Sequence, residues 1–88
     1  MNDELNMFLM QLKKIQKEVI QEKLCCIHNY NTSRELLADS SYEIIYRITE
    51  LIDGYYNEDI KYIITDLNNI QINANVDIHD LCEDYLES

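Results

Sequence analysis

Apolar residues recur at three- and four-residue steps through the first 26 residues, which predicts an amphipathic helix from about Asp3 to about Cys26. Lysines fill its opposite face. The apolar stripe consists of Leu5, Phe8, Leu9, Leu12, Ile15, Val19, Ile20 and Leu24. The asparagine-rich stretch 28–31 then predicts a loop, because asparagine competes for helix hydrogen bonds and tolerates left-handed backbone geometry.

Two capping signals predict helix in the middle of the chain. The stretches Thr32–Glu35 and Ser40–Glu43 each have the form of a capping box. A second apolar stripe follows and ends at Gly54, which suits a left-handed helix cap. That stripe consists of Ile44, Ile45, Ile48, Leu51 and Ile52. The pattern leaves open whether residues 33–53 form one helix or two.

Two matching starts, Asn57–Ile60 and Asn75–Ile78, predict the remaining helices, because an asparagine cap and early acids suit a helix N-terminus. The first predicts a fourth helix with a core face of Ile60, Ile63, Ile64, Leu67 and Ile70. The second predicts a last helix carrying Ile78, Leu81, Cys82, Tyr85 and Leu86. Residues 70–73 alternate in polarity, so a short extended piece is the alternative there.

The fold class predicted from these elements is all-α. Proline is absent and there is a single glycine, which disfavours turn-rich β structure. We expect a compact antiparallel bundle of four to five helices with short loops, forming one domain over residues 1–88.

Charge divides the chain into two unequal parts. Acids and lysines balance in residues 1–30, whereas residues 31–88 carry thirteen acidic and three basic side chains and the whole net charge of −10. Six of the seven tyrosines lie from Tyr42 onward. Acid repels nucleic acid and anionic membranes, and tyrosine is enriched at protein-binding hot spots. The composition therefore favours a basic protein as partner, with neither nucleic acid nor membrane as a partner.

The sequence was also searched for a membrane span, a secretory signal and a catalytic motif. No apolar run approaches 18 residues, so no membrane span is predicted. The acidic start differs from the basic start of a secretory signal, which predicts a cytoplasmic protein with reduced thiols. No catalytic motif is present and the acidic pairs have no glycine-rich loop beside them, so we expect neither enzyme activity nor a cofactor.

Zinc is the alternative interpretation of the histidines. The pairs Cys25-x-x-His28 and His79-x-x-Cys82 have the spacing that places two ligands on one helical face. If the pairs met, they would form a tetrahedral site. Cysteine also packs as a small apolar residue. We therefore favour ordinary packing and expect no metal.

The turn between the predicted third and fourth helices is the expected binding centre. Tyr55 and Tyr56 are adjacent in a turn flanked by acids, so at least one ring is expected to be displayed. The predicted partner-binding residues are Tyr46, Glu50, Asp53, Tyr55, Tyr56, Glu58, Asp59 and Tyr62.

The stretch Arg47–Glu50, the pair Asp53-Gly54 and the pair Tyr55-Tyr56 resemble the immunity proteins of nuclease colicins. The match covers about ten residues; the Asp-to-Tyr spacing differs and no proline follows. The resemblance implies an acidic four-helix protein that binds its toxin through this region. Small acidic helical immunity proteins of contact-dependent inhibition systems are similar to the same degree.

These features together predict a non-enzymatic immunity or inhibitor protein, monomeric before it binds. It would cover the substrate surface of a basic toxin domain, for which a nuclease is the favoured class. A phage-encoded inhibitor of a host nucleic-acid-binding enzyme would use the same physics. A different class is suggested by Ala38-Asp39-Ser40, which resembles the modified-serine element of acyl carrier proteins and implies a prosthetic group on Ser40.

Overall fold

The computed structural model describes residues 3–55 and 60–87. Helix α1 spans Asp3–Cys25 and helix α2 spans Ser33–Asp53, with a 3-10 turn at Ile27–Asn29 between them. A second 3-10 turn, Ile78–Leu81, leads directly into the short helix α3, Cys82–Tyr85. No strand is present in the described part of the chain, so the all-α class is confirmed there.

Helices α1 and α2 form an antiparallel hairpin. Near the connecting turn, the Lys23 ammonium lies 2.8 Å from the Asp39 carboxylate. The Tyr30 hydroxyl donates to the same carboxylate. Farther along the pair, Arg47 of α2 reaches three carboxylates: Glu22 at 2.7 Å, Glu43 at 2.8 Å and Glu18 at 3.5 Å. These contacts fix the register of the two helices.

The start of α2 uses the predicted capping box. The Thr32 hydroxyl accepts from the Glu35 amide at 3.1 Å, and the Glu35 carboxylate accepts from the Asn31 amide at 2.9 Å. The second predicted box does not interrupt the helix. The Ser41 hydroxyl instead donates to the Ala38 carbonyl at 3.1 Å. Residues 33–53 are therefore one helix, which resolves the alternative that the sequence left open.

Gly54 ends α2 as predicted. Its backbone is left-handed, with φ at 94°, a conformation that favours glycine. A Cβ at this position would lie 2.9 Å from the Ile60 carbonyl oxygen, so the chain also passes too close for a side chain. The Tyr62 amide then donates to the Ile52 carbonyl at 2.8 Å, which brings the chain back against the end of α2.

The predicted fourth helix is wrong for residues 60–70, which contain no helix. Its apolar positions are mostly exposed, including Ile63, Ile64, Leu67 and Ile70. Its predicted start at 57–59 lies outside the described residues. With two long helices and one short one described, a bundle of four to five helices is not confirmed.

Side-chain amides and carboxylates explain why this segment is not helical. The buried Asn73 side chain accepts from the Ile64 amide at 2.7 Å and donates to the Tyr62 carbonyl at 2.9 Å. The Asp66 carboxylate accepts from the Asn68 and Ile70 amides at 2.8 and 3.0 Å. These bonds take the backbone groups that a helix would use.

The extended alternative at 70–73 is present only as an isolated antiparallel bridge between Thr65 and Gln71. The last helix forms, but later and shorter than predicted, because Asp77 provides no side-chain cap and the first turn is 3-10. Within the described residues, no helix combines the length and apolar character needed to cross a membrane.

The core lies between α1 and α2 near the middle of the hairpin. Ile15, Val19 and Leu51 are its buried apolar side chains. Five half-buried residues pack around them: Phe8, Leu12, Ile44, Ile48 and Tyr62. The Tyr62 ring meets Phe8 edge to face, with 5.0 Å between the ring centroids. Tyr62 therefore connects the irregular segment to the hairpin core.

Candidate partner-binding site

An open groove of about 330 Å³ lies between α2 and the segment 79–83. We call it the acidic groove and define it by its lining residues, Tyr42, Glu43, Tyr46, His79, Asp80 and Glu83. Three of these six carry carboxylates and none is lysine or arginine. The groove therefore combines negative charge with aromatic surface on two elements that are far apart in sequence.

His79 is the residue that joins the two sides of the groove. Its ring Nδ1 lies 2.7 Å from Asp53 Oδ2, and its ring Nε2 lies 3.2 Å from Asp80 Oδ1. Its backbone amide donates to Asp53 Oδ2 at 2.8 Å. An acceptor faces each ring nitrogen, so the geometry favours the doubly protonated imidazolium.

The pKa of His79 follows from opposing effects. Burial lowers this pKa, but the hydrogen bond to Asp53 and the negative charges of Asp80, Asp53 and Glu50 outweigh burial and raise it above its ordinary value. His79 is therefore more readily charged than a free histidine. A positive charge held here partly neutralises the carboxylates around it.

Asp53 sits beneath His79 with its side chain fully buried, at 0 % exposed. Burial raises the pKa of this carboxyl, while hydrogen bonds from the His79 amide, the His79 ring and the Ile78 amide lower it. The net pKa lies below the ordinary value, so the group is ionised at neutral pH. Asp53 thus positions His79, and its buried carboxylate is not exposed for direct contact with another molecule.

Three tyrosine rings surround His79 or continue the groove wall. Tyr42 and Tyr46 are one helical turn apart and stack with 6.0 Å between centroids and 12° between planes. Tyr46 and Tyr55 each meet the His79 ring edge to face, at 5.8 and 4.4 Å. Tyr55 is 58 % exposed, and its hydroxyl lies 3.4 Å from the Asp77 carboxylate.

The hydroxyls of these tyrosines remain neutral. Burial, followed by the negative charges nearby, raises the pKa of Tyr42 and of Tyr46. For Tyr55 the charge of Asp77 is the larger cause and burial the next. Each hydroxyl can therefore donate a hydrogen bond to an incoming group at neutral pH.

The sequence-predicted binding residues are only partly gathered here. Tyr46 lines the groove, Tyr55 flanks His79, and Glu50 acts on His79 through its charge. Tyr62 lies apart from them, against Phe8. Tyr56, Glu58 and Asp59 lie outside the described residues.

Sequence reasoning missed most of the groove, namely Tyr42, Glu43, His79, Asp80 and Glu83. A local signal was available on each side. Tyr42 and Tyr46 are one turn apart, and His79 and Glu83 are four residues apart. The contact between α2 and the segment 79–83 could not be predicted from the sequence. It depends on Asp53 and His79, which are 26 positions apart.

The histidine and cysteine pairs do not assemble a metal site in the described part of the chain, where no three His, Cys, Asp or Glu side chains are arranged to hold an ion. Both ring nitrogens of His79 face carboxylates. Cys82 is buried, with its sulfur 3.5 Å from the Thr49 hydroxyl, whereas Cys25 is exposed. Ordinary packing and hydrogen bonding therefore explain the positions of the His79 and Cys82 side chains.

Ser40 lies within α2 and is half-buried beside an apolar groove that includes Leu24 and Leu37. The carrier-protein resemblance implies a serine that opens a helix. The position of Ser40 differs from that, because the Ser40–Glu43 box is not used as a cap.

Comparisons with family models, curated proteins and solved structures give no match to this chain. The chemistry of the acidic groove is therefore inferred from its own residues. Carboxylates, neutral tyrosine hydroxyls and aromatic faces together suit a cationic group supplied by another molecule.

Proposed function

We propose that this chain is an inhibitor of the immunity type, which binds a basic toxin domain and covers its substrate surface. The observation that carries the proposal is the acidic groove, in which three carboxylates and two tyrosines line one cavity. A nuclease is the favoured target class, because its substrate surface is basic and attracts a phosphate-like array of acids.

Charge and aromatic surface make different contributions to binding in this proposal. Negative charge in residues 31–88 attracts a basic partner over distance and speeds encounter. Tyr46 and Tyr55 then supply aromatic contact area at low entropy cost.

The Asp53–His79 pair has a positioning role in this proposal. It holds the segment 79–83 against α2, so that Asp80 and Glu83 face Tyr42 and Tyr46. Without the pair, the two walls of the groove would separate. The inhibitor would act without catalysis or a cofactor, as a monomer in the cytoplasm until it binds.

Growth protection tests the proposal. The protein encoded by the gene next to this chain's own gene is expressed alone, where the proposal expects it to stop growth, and together with this chain. We expect co-expression to restore growth, and a variant with Glu83→Gln and Asp80→Asn to protect less. Equal toxicity with and without the wild-type chain would refute the proposal.

A further inference from the structure

We infer that the acidic groove holds the side chain of an arginine presented by the partner. This inference rests on the proposed function and adds the residue type that the groove selects. The groove encloses about 330 Å³. Ligand pockets span about 300 to 1,000 Å³, so this groove is at the small end of that range and has room for one long side chain.

The carboxylates of the groove differ in how far they are already paired. Glu43 accepts from the Arg47 guanidinium at 2.8 Å, and Asp80 lies 3.2 Å from His79 Nε2. Glu83 has no polar contact with any described residue. Among the described residues, an incoming cation therefore finds one groove carboxylate without an ion pair and two that are partly neutralised.

The net charge of the groove stays negative even with His79 protonated, because its three carboxylates outnumber the His79 imidazolium and the Arg47 guanidinium that contacts Glu43. That imidazolium is directed at Asp53 and Asp80. Glu83 and Tyr42 line the same groove, and the pKa of the Tyr42 hydroxyl is raised by burial first and then by nearby negative charges that include Glu83. A cation placed between Glu83 and Tyr42 would therefore interact with both.

Aromatic walls favour arginine over lysine. The planar guanidinium stacks on a tyrosine ring while its N–H groups bind carboxylates side by side. The lysine ammonium is a compact, strongly hydrated charge that does neither as well. The stacked Tyr42 and Tyr46 rings line the same groove as Asp80 and Glu83, so a guanidinium bound there would lie within reach of both groups.

Short peptides test the groove without the toxin. The ¹⁵N-labelled full chain is titrated with tri-arginine, tri-lysine and tri-citrulline peptides, the last being an uncharged match for arginine. We expect tri-arginine to shift the amide signals of Tyr42, Tyr46, Asp80 and Glu83, and tri-citrulline to leave them in place. Tri-lysine should bind about threefold more weakly or worse. Shifts confined to residues outside the groove, or equal binding of arginine and lysine, would overturn the inference.

Matched variants separate the groove from net charge. Glu83→Gln should weaken tri-arginine binding about three- to tenfold, whereas Asp84→Asn, the same charge change one residue outside the groove, should change it less than about twofold. Tyr42→Leu should weaken binding and Tyr42→Phe should retain it. The spectra themselves report whether each variant is folded. Equal losses from Glu83→Gln and Asp84→Asn would contradict a specific site.

The two proposals fail separately. If tri-arginine occupies the groove but the product of the neighbouring gene does not bind this chain, the proposed function is wrong and the arginine preference of the groove stands. If the toxin domain binds and Glu83→Gln binds it as well as the wild type does, the groove inference is wrong.

Discussion

Removing the Asp53 carboxylate tests how the groove is held together. Asp53 Oδ2 accepts from both the ring and the backbone amide of His79, at 2.7 and 2.8 Å. The His79 side chain is only 8 % exposed and that of Asp53 is fully buried. Asp53→Ala would leave both donors of His79 without this acceptor and leave a buried imidazolium beside a cavity.

The expected loss of stability is large for a chain of this size. Removing one partner of a buried ion pair costs about 3 to 5 kcal/mol. A chain of 88 residues has a total free energy of unfolding of about 4 to 13 kcal/mol. Asp53→Asn keeps an acceptor but not the charge, so we expect it to lose less and to remain folded enough to measure.

The pH dependence has a definite sign. The His79 pKa is raised above its ordinary value of 6.5, so its contribution is complete below pH 6.5 and is lost as pH rises through the raised pKa. The Asp53 pKa is lowered from 3.8, so its contribution is complete above pH 3.8 and is lost as pH falls through the lowered pKa. The pair therefore stabilises the fold most between these two ordinary values.

Chemical denaturation at about pH 5.5 and about pH 8.5 measures both effects. We expect the gap in unfolding free energy between wild type and Asp53→Asn to be larger at the lower pH. Asp84→Asn, an exposed match, should change stability by less than about 0.5 kcal/mol at either pH. This account of the pair would be refuted if Asp53→Ala lowered the unfolding free energy by less than about 1 kcal/mol. It would also be refuted if the gap between wild type and Asp53→Asn were larger at about pH 8.5 than at about pH 5.5.

Three further predictions concern binding and metal. Tyr55→Ala should weaken toxin binding by roughly 2 kcal/mol or more, as measured by calorimetry. Its free energy of unfolding should change less, because the ring is 58 % exposed. Normal binding together with a large loss of stability would mean that the ring serves the fold. Association with the toxin should slow as salt rises, measured by stopped flow at two ionic strengths, and an unchanged rate would remove charge steering. A chelator should leave the thermal midpoint unchanged, whereas a large drop with one metal per chain would restore the zinc interpretation.

The long helices were predictable because their signals are local. Apolar periodicity located α1, and the Thr32–Glu35 box and Gly54 fixed the ends of α2. The irregular structure of segment 60–77 was not predictable, because the spacing of its isoleucines also fits a helix. Asn73 decides the outcome by bonding to the backbone of Ile64 and Tyr62, residues nine and eleven positions away. Hydrogen bonds between residues so far apart produce no periodic pattern in the sequence.

The residues of the candidate groove were selected only in part from the sequence. Acid and tyrosine content favoured a basic protein as partner, and Tyr46 and Tyr55 were among the residues selected. Asp53 was selected as a contact residue, although its carboxylate is buried under His79. His79 was weighed as a zinc ligand, since its sequence neighbours give no sign of a partner on α2.

Titration of the purified product of the neighbouring gene with this chain tests the central claim most directly. Nuclease activity is followed as the chain is added, with Glu83→Gln and Asp84→Asn titrated alongside. We predict that activity falls to zero at one chain per toxin, and that Glu83→Gln requires a larger excess while Asp84→Asn matches the wild type. Full activity at a tenfold excess of the wild-type chain would contradict the claim that this protein is an inhibitor of a basic toxin.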